Sequence, residues 1–294
     1  MIRNYQLYLL VLPTVLYYII FKYIPMYGIQ IAFRDYIATR GFTGSPFVGF
    51  EHFERFFRSP DFWLLIRNTI GLSLYQLIAG FPLPILVALL LNHLNSEKFK
   101  KFTQTVIYAP HFISTVVLVG MLHVFLSPRS GLINLIITTL GGESIFFMAK
   151  PEWFKTLYVS SGIWQNTGWG TIVYLAALSS VSPELHESAV VDGANKWRRI
   201  WYIDIPGLMP TAVILLILNM GSLMNIGFEK AYLMQSALNR SSSEIISTYV
   251  YKIGLLGAQY SFSSAVGLFD SVINLIILLT VNRVAKKATE VSLW

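Results

Sequence analysis

No cysteine occurs among the 294 residues, which excludes disulfides, thiolate catalysis and any cysteine-ligated zinc or iron–sulfur centre. Charge is scarce as well: Asp, Glu, Lys and Arg make up 13% of the chain, about half the share of an ordinary soluble domain. There is no Gly-x-x-x-x-Gly-Lys-[Ser/Thr] run, so the chain lacks a phosphate-binding loop with which to hydrolyse ATP itself. Neither His-Glu-x-x-His nor Gly-x-Ser-x-Gly is present, which leaves a membrane hydrolase without support. His52, His93, His111, His123 and His186 include no two at metal-ligand spacing on one helix, and each reads as a boundary or packing residue with no metal to hold. Low-complexity tracts and internal repeats are also missing, so residues 1–294 read as one domain.

What is present is apolar. Hydrophobic residues reach 54% and the mean hydropathy is +0.57. A bilayer core of about 30 Å needs roughly 20 mostly apolar helical residues, and six stretches qualify: 7–24, 70–91, 105–125, 157–177, 212–228 and 262–281. The fold class expected is therefore an all-α membrane protein with six transmembrane helices. The first stretch has no small-x-small cleavage site and runs on into Lys22, Tyr23 and Pro25, so it reads as an uncleaved span rather than a signal sequence. Gly80, Pro82 and Pro84 would kink the second, which a bundle tolerates.

The net charge of +7 reads as basic residues gathered at membrane boundaries rather than as a nucleic-acid surface. With both termini inside, the inner segments hold Arg3, Lys98, Lys100, Lys101, Lys196, Arg198, Arg199, Arg283, Lys286 and Lys287. That bias supports cytoplasmic termini. The longer segment between the first two spans, 27–67, contains Gly41, Gly44, Ser45 and Pro46 and reads as a structured external loop, with Ser45 an accessible position on it.

Between the fourth and fifth spans, Ser182 and Pro183 signal a helix start, Glu184 suits the positive end of its dipole, and Gly193 allows a sharp turn. A second short helix is expected from Asn195 through Trp201, ending ahead of Pro206 and Pro210. The product is a cytoplasmic helix-turn-helix held between two spans, a geometry that can pass a push from a soluble partner to the membrane helices.

Glu187, Ala189, Asp192, Gly193 and Ala194, followed by Ile203 and Pro206, resemble the EAA loop of binding-protein-dependent ABC importers, with Ser188 in place of the usual first alanine. The resemblance covers nearly the whole chain. Phe21–Gly28, Tyr108–Ser114, Gly168-Trp169-Gly170 and Ala265–Asn274 look like oligosaccharide permeases of the LplB and YteP kind, a maltose-permease-like branch, and in particular like the permease of an alginate importer. This resemblance implies a type I ABC importer permease fold in the bacterial inner membrane, with a coupling loop at about 181–209 that enters a cleft of the ATPase. It implies that Glu187 and Asp192 are polar contacts there and that Gly193 sets the turn. The implied partners are a second homologous permease subunit, two ATP-binding subunits and an extracytoplasmic solute-binding protein, with no nucleic acid. No cofactor is expected on this chain, because ATP and Mg are used by the partner ATPase. The implied function is import of oligo- or polysaccharides, acidic ones such as alginate included.

Polar side chains within spans are costly and face a bundle interior or a wet cavity. The substrate-path candidates are Gln76, Trp164, Gln165, Asn166, Asn219, Ser222, Asn225, Asp270 and Asn274. Helical spacing would gather Asn219, Ser222, Asn225 and Glu229 into one stripe; the competing reading for each is interhelical hydrogen bonding. The alternative function is a secondary transporter coupled to an ion through a buried carboxylate, for which Asp270 is the candidate.

Overall fold

The computed structural model describes residues 5–293, so Arg3, counted above among the inner basic residues, lies outside the described residues. The helices, in chain order, are α1 (Tyr5–Tyr18), α2 (Ile24–Met26), α3 (Gly41–Gly44), α4 (Glu51–Phe57), α5 (Phe62–Gly80), α6 (Pro82–Asn92), α7 (Glu97–Tyr108), α8 (Thr115–Phe125) and α9 (Leu132–Thr139). They continue with α10 (Pro151–Ser179), α11 (Pro183–Val191), α12 (Lys196–Arg199), α13 (Ile205–Gly221), α14 (Phe228–Met234), α15 (Arg240–Ser243), α16 (Ile246–Tyr251) and α17 (Tyr260–Thr289). Extended pairing among the described residues is limited to one bridge, Arg34 with Phe47.

The chain forms two compact units. One takes the chain up to Phe62 together with Tyr249–Ser271; the other takes Trp63–Thr248 together with the chain from Val272 onward. In the first unit the segment 27–67 is tied by its own backbone: the Asp35 N–H donates to the Pro46 carbonyl and that of Val48 to the Phe33 carbonyl, both at 2.9 Å. Ser45 is buried, because its Oγ donates to the Gly41 carbonyl at 2.6 Å and accepts from the Ile37 N–H at 3.0 Å. It is therefore not the accessible position expected; Thr43, two residues earlier, is exposed. Phe56 is buried against the rings of Phe62, Phe262 and Phe269. In contrast, α1 exposes apolar side chains around its whole circumference, as a helix facing lipid or another subunit must.

The second unit is organised around α10, which packs along α6. Leu72, Val119, Phe154, Tyr158, Val159 and Ile226 bury one apolar cluster, and Ala88, Leu89, Tyr174, Leu178, Leu208 and Ala212 another.

Four helical stretches among the described residues are long and apolar enough to cross a membrane: Gln6–Phe33, Phe62–Asn92, Lys196–Gly221 and Tyr260–Thr289. Three expected spans differ from the observed helices. The stretch 105–125 is not straight but bends by 95° between Glu97–Phe112 and Thr115–Phe125. Pro110 brings no N–H to the helix, Ile113 and Ser114 are extended, and Ser114 Oγ starts α8 by accepting from the Val117 N–H at 3.3 Å. The stretch 157–177 lies within α10, which at 29 residues is long enough to span but is made less apolar by Ser160, Ser161, Gln165, Asn166 and Thr167. Its hydroxyls fold back on the helix, Thr167 Oγ1 donating to the Ile163 carbonyl and Thr171 Oγ1 to that of Thr167, each at 2.7 Å. The stretch 212–228 stops early, at Gly221, with residues 222–224 in a turn and 225–227 irregular.

The short helix expected to end before Pro206 does not end there. α12 passes through a π-helical turn, Ile200–Asp204, into α13, so that Lys196–Gly221 is continuous. A proline removes one N–H and crowds the carbonyl four residues back. The wider π turn just before Pro206 accommodates that without breaking the helix.

Candidate functional site

The loop after α10 is built as its residues require. Pro183 occupies the first position of α11, and Ser182 stands at the cap, although its hydroxyl makes no capping bond. At the other end the Gly193 N–H donates to the Val190 carbonyl at 3.0 Å and the Ala194 N–H to the Ala189 carbonyl at 2.8 Å. This pair of bonds is the Schellman closure, which needs a left-handed residue at its centre, and Gly193 has φ of +78°. Asn195 then caps α12, its Oδ1 accepting from the Arg198 N–H at 2.9 Å. Glu187 and Asp192 are exposed and make no ion pair among the described residues, and Leu185, Val190, Val191, Trp197, Trp201 and Tyr202 expose apolar surface beside them. Ala189 and Ala194 are half-buried, while Pro206 is exposed on the continuous helix described above.

The second feature is a cavity of about 680 Å³ within the second unit. Six of the nine substrate-path candidates line it: Gln76, Gln165, Asn166, Asn219, Ser222 and Asn225. Four of these already make hydrogen bonds within the chain, Asn219 Nδ2 donating to the Leu215 carbonyl at 2.7 Å and Ser222 Oγ to the Asn219 carbonyl at 3.1 Å. Gln165 Nε2 donates at 2.7 Å to the Ile113 carbonyl at the bend of the broken helix pair. Asn166 Oδ1 lies 3.1 Å from Nδ1 of His111, whose ring stacks on Trp169 at 4.5 Å. The expected helical stripe is not helical, since α13 ends before Ser222. Asn219, Ser222, Asn225 and Glu229 nonetheless share the cavity wall because the chain turns there, the Asn225 N–H donating to the Ser222 carbonyl at 3.0 Å.

Trp164, Asp270 and Asn274 are not among the walls. Trp164 is about half exposed, and Asn274 Oδ1 accepts from the Met224 N–H at 2.9 Å, an interhelical tie. Asp270 has a buried Oδ1 without a hydrogen bond.

Sequence reasoning missed Lys230. It is 8% exposed on α14 and lines the cavity, with Nζ donating to the Tyr158 carbonyl at 2.7 Å and lying 4.6 Å from the centre of the Tyr158 ring. Gly162 makes room for it: a Cβ there would stand 3.1 Å from Lys230 Nζ and 3.3 Å from Gln76 Oε1. An ammonium has three donors, and the carbonyl takes one. Burial lowers its pKa to about 8. The lone cation inside Phe228–Met234 was the available signal.

The pattern of the binding-protein-dependent transport system inner membrane component matches residues 80–290. The chain belongs to this family. It is a permease subunit of an ABC transporter with the type I permease fold. It is 46% identical to protein LplB of Bacillus subtilis, over 99% of this chain and 92% of the relative. It is likewise 46% identical to the polygalacturonan/rhamnogalacturonan transport system permease protein YteP of the same organism, over 100% of this chain and 92% of the relative. A chain in a crystal structure of a bacterial alginate ABC transporter, in complex with an alginate pentasaccharide-bound periplasmic protein, superposes with a TM-score of 0.91 at 40% identity, covering 99% of this permease and 97% of that chain.

Proposed function

We propose that this permease forms half of the translocation path of an importer for acidic oligo- or polysaccharides, with ATP hydrolysed in two partner subunits and the sugar delivered by an extracytoplasmic binding protein. The observation that carries the acidic assignment is Lys230, a buried cation in the cavity wall with a carbonyl and a ring face for company and no carboxylate in an ion pair with it among the described residues. A buried charge without a counter-charge is costly, and a uronate carboxylate entering the cavity would supply one. Beside it, Gln76, Asn219 and Asn225 offer amides of the kind that hydroxyls bind. Glu229 also reaches the cavity but is exposed, so water screens its repulsion of an anion. Polygalacturonan and alginate, in the names of the similar proteins, are both acidic polymers.

Lys230→Gln tests this. A charge-assisted hydrogen bond is worth about 1.5–3 kcal/mol, so uptake of an acidic oligosaccharide by the reconstituted complex should fall about tenfold or more. Uptake of a neutral oligosaccharide of equal length should change little, and the ATPase should still co-purify. Equal loss for both sugars, or none for either, would remove Lys230 from recognition.

The loop at about 181–209 is the proposed docking element, with Glu187, Ala189, Asp192, Gly193, Ala194 and Pro206 as its coupling residues, and both termini are placed in the cytoplasm of a six-span topology. A cysteine at Lys196 should then be labelled by an impermeant reagent only from the cytoplasmic side. One at the exposed Thr43, used in place of the buried Ser45, should be labelled only from outside. Reversal at either position would refute the topology.

A further inference from the structure

Asp204 is the last residue of the π-helical turn ahead of Pro206, and it is 0% exposed. Three side chains from two other segments meet its carboxylate. His93 Nε2, just past the end of α6, lies 2.6 Å from Oδ2. His186 Nε2, in the middle of α11, lies 3.4 Å from Oδ1, and Asn92 Nδ2 donates to that same Oδ1 at 3.4 Å. The two imidazole rings are 6.2 Å apart and near perpendicular, so each reaches the carboxylate from its own side.

A fully buried carboxylate needs such partners. Their origins are what matter. One comes from the end of the second hydrophobic stretch and one from the proposed docking helix, while the carboxylate itself closes the π turn that leads into α13 and the fifth stretch. α11 is otherwise mostly exposed: among its nine residues only His186 and Ala189 are half-buried, and none is buried. A helix so loosely packed transmits displacement only through the contacts it keeps.

We propose that Asp204 is a positioning residue for coupling: through His186 it fixes α11 to the head of the fifth stretch, and through His93 it fixes the same point to the end of the second, so that a push on α11 moves both. The two contacts are unequal. His93 makes a short hydrogen bond to Oδ2 at 2.6 Å, whereas His186 approaches Oδ1 to 3.4 Å without hydrogen-bond geometry. The Asp204–His93 pair is therefore the fixed anchor and His186 the side chain that seats α11 against it.

This inference rests on α11 being the docking element. The measurement is ATP hydrolysed per sugar imported, using the assembled complex in vesicles with loaded binding protein, alongside the amount of ATPase that co-purifies. His186→Ala should raise the ATP cost per sugar about fivefold, the size expected for loss of one coupled contact, with co-purification unchanged. His186→Gln places an amide nitrogen near the same position and should stay within about twofold of the parent. Adding Asp204→Asn to His186→Ala should raise the cost further, because the carboxylate also holds His93, but by less than Asp204→Asn does alone, since the two share one contact. An unchanged ratio in His186→Ala, a glutamine variant as defective as alanine, or a loss of assembly without a change in the ratio would each overturn the proposal. If Glu187→Lys and Gly193→Val both leave ATPase co-purification and stimulated hydrolysis at the parental level, the docking assignment itself fails, an outcome distinct from these.

Discussion

Gly168→Val should prevent a stable permease from accumulating, and even Gly168→Ala should lower its yield and thermal midpoint sharply. Gly168 lies on α10 where that helix crosses α7, and a Cβ at this position would overlap the backbone carbonyl oxygen of Ile107, with the Tyr108 ring 3.1 Å away. A flexible side chain could move aside, but a carbonyl within a helix cannot do so without shifting the helix. Overpacking of this sort costs about 1–3 kcal/mol and sometimes more, against a total stability of only about 5–15 kcal/mol. Nearby glycines calibrate the effect. At Gly170 the neighbour is the Pro84 ring, at 3.1 Å, and at Gly120 on α8 nothing lies within 4 Å. Gly170→Ala should therefore be intermediate, and Gly120→Ala neutral or stabilising by up to about 1 kcal/mol through helix propensity. Detergent-solubilised yield and thermal unfolding of the three alanine variants, compared with the amount of ATPase retained, give the order directly. If Gly168→Ala ranks with Gly120→Ala, the close crossing of α7 and α10 is wrong.

Gly168 also marks the boundary of what the sequence made legible. Its neighbours Trp169 and Gly170 carried family resemblance, yet the reason for a glycine there is a carbonyl about sixty residues back along the chain, which no local pattern encodes. Local chemistry was readable. Pro183 starts α11 and Gly193 takes the left-handed turn, because first-turn proline and left-handed glycine follow from the backbone of the residue itself. Apolar length located most of the hydrophobic stretches for the same reason.

Departures arose where distant groups replaced local bonds. Gln165 accepts the strain of the 95° bend by donating to the Ile113 carbonyl, and helical spacing could not foresee it. Pro206 looked like a helix stop and is instead absorbed by a π turn. Lys230 and Asp204 were passed over because an isolated Lys or Asp near a helix end usually faces water. Their significance depends on burial by Tyr158 in one case and by His93 and His186 in the other. Asn219, Ser222 and Asn225 line one cavity, but not by the helical spacing expected, since the turn after Gly221 is what keeps them together.

Gly193→Val should abolish substrate-stimulated ATP hydrolysis and uptake while leaving the membrane helices inserted. Gly193 has φ of +78°, and nothing lies within 4 Å of the position its Cβ would take, so the penalty is one of backbone conformation alone. For an L-residue the left-handed conformation costs about 1–2 kcal/mol, and β-branching makes valine worse. The strained chain would relieve itself by opening the two bonds from Gly193 and Ala194 to Val190 and Ala189, which changes the angle between α11 and α12. Asparagine tolerates the same conformation. Gly193→Asn should therefore keep most of the activity, a contrast that loss of a small side chain's space would not produce. Glu187→Lys approaches the same element from its surface. Glu187 is exposed and makes no ion pair among the described residues, so reversal leaves folding intact, and any loss must come through a partner. Reversing a charge at a docking interface should weaken ATPase co-purification, with the effect growing as salt is lowered. The measurements are uptake, stimulated hydrolysis and bound ATPase for Gly193→Val, Gly193→Asn and Glu187→Lys in vesicles. Parental behaviour of both the valine and the lysine variants would reduce this loop to a connector between spans, and the path from ATP to the cavity would have to run through another element.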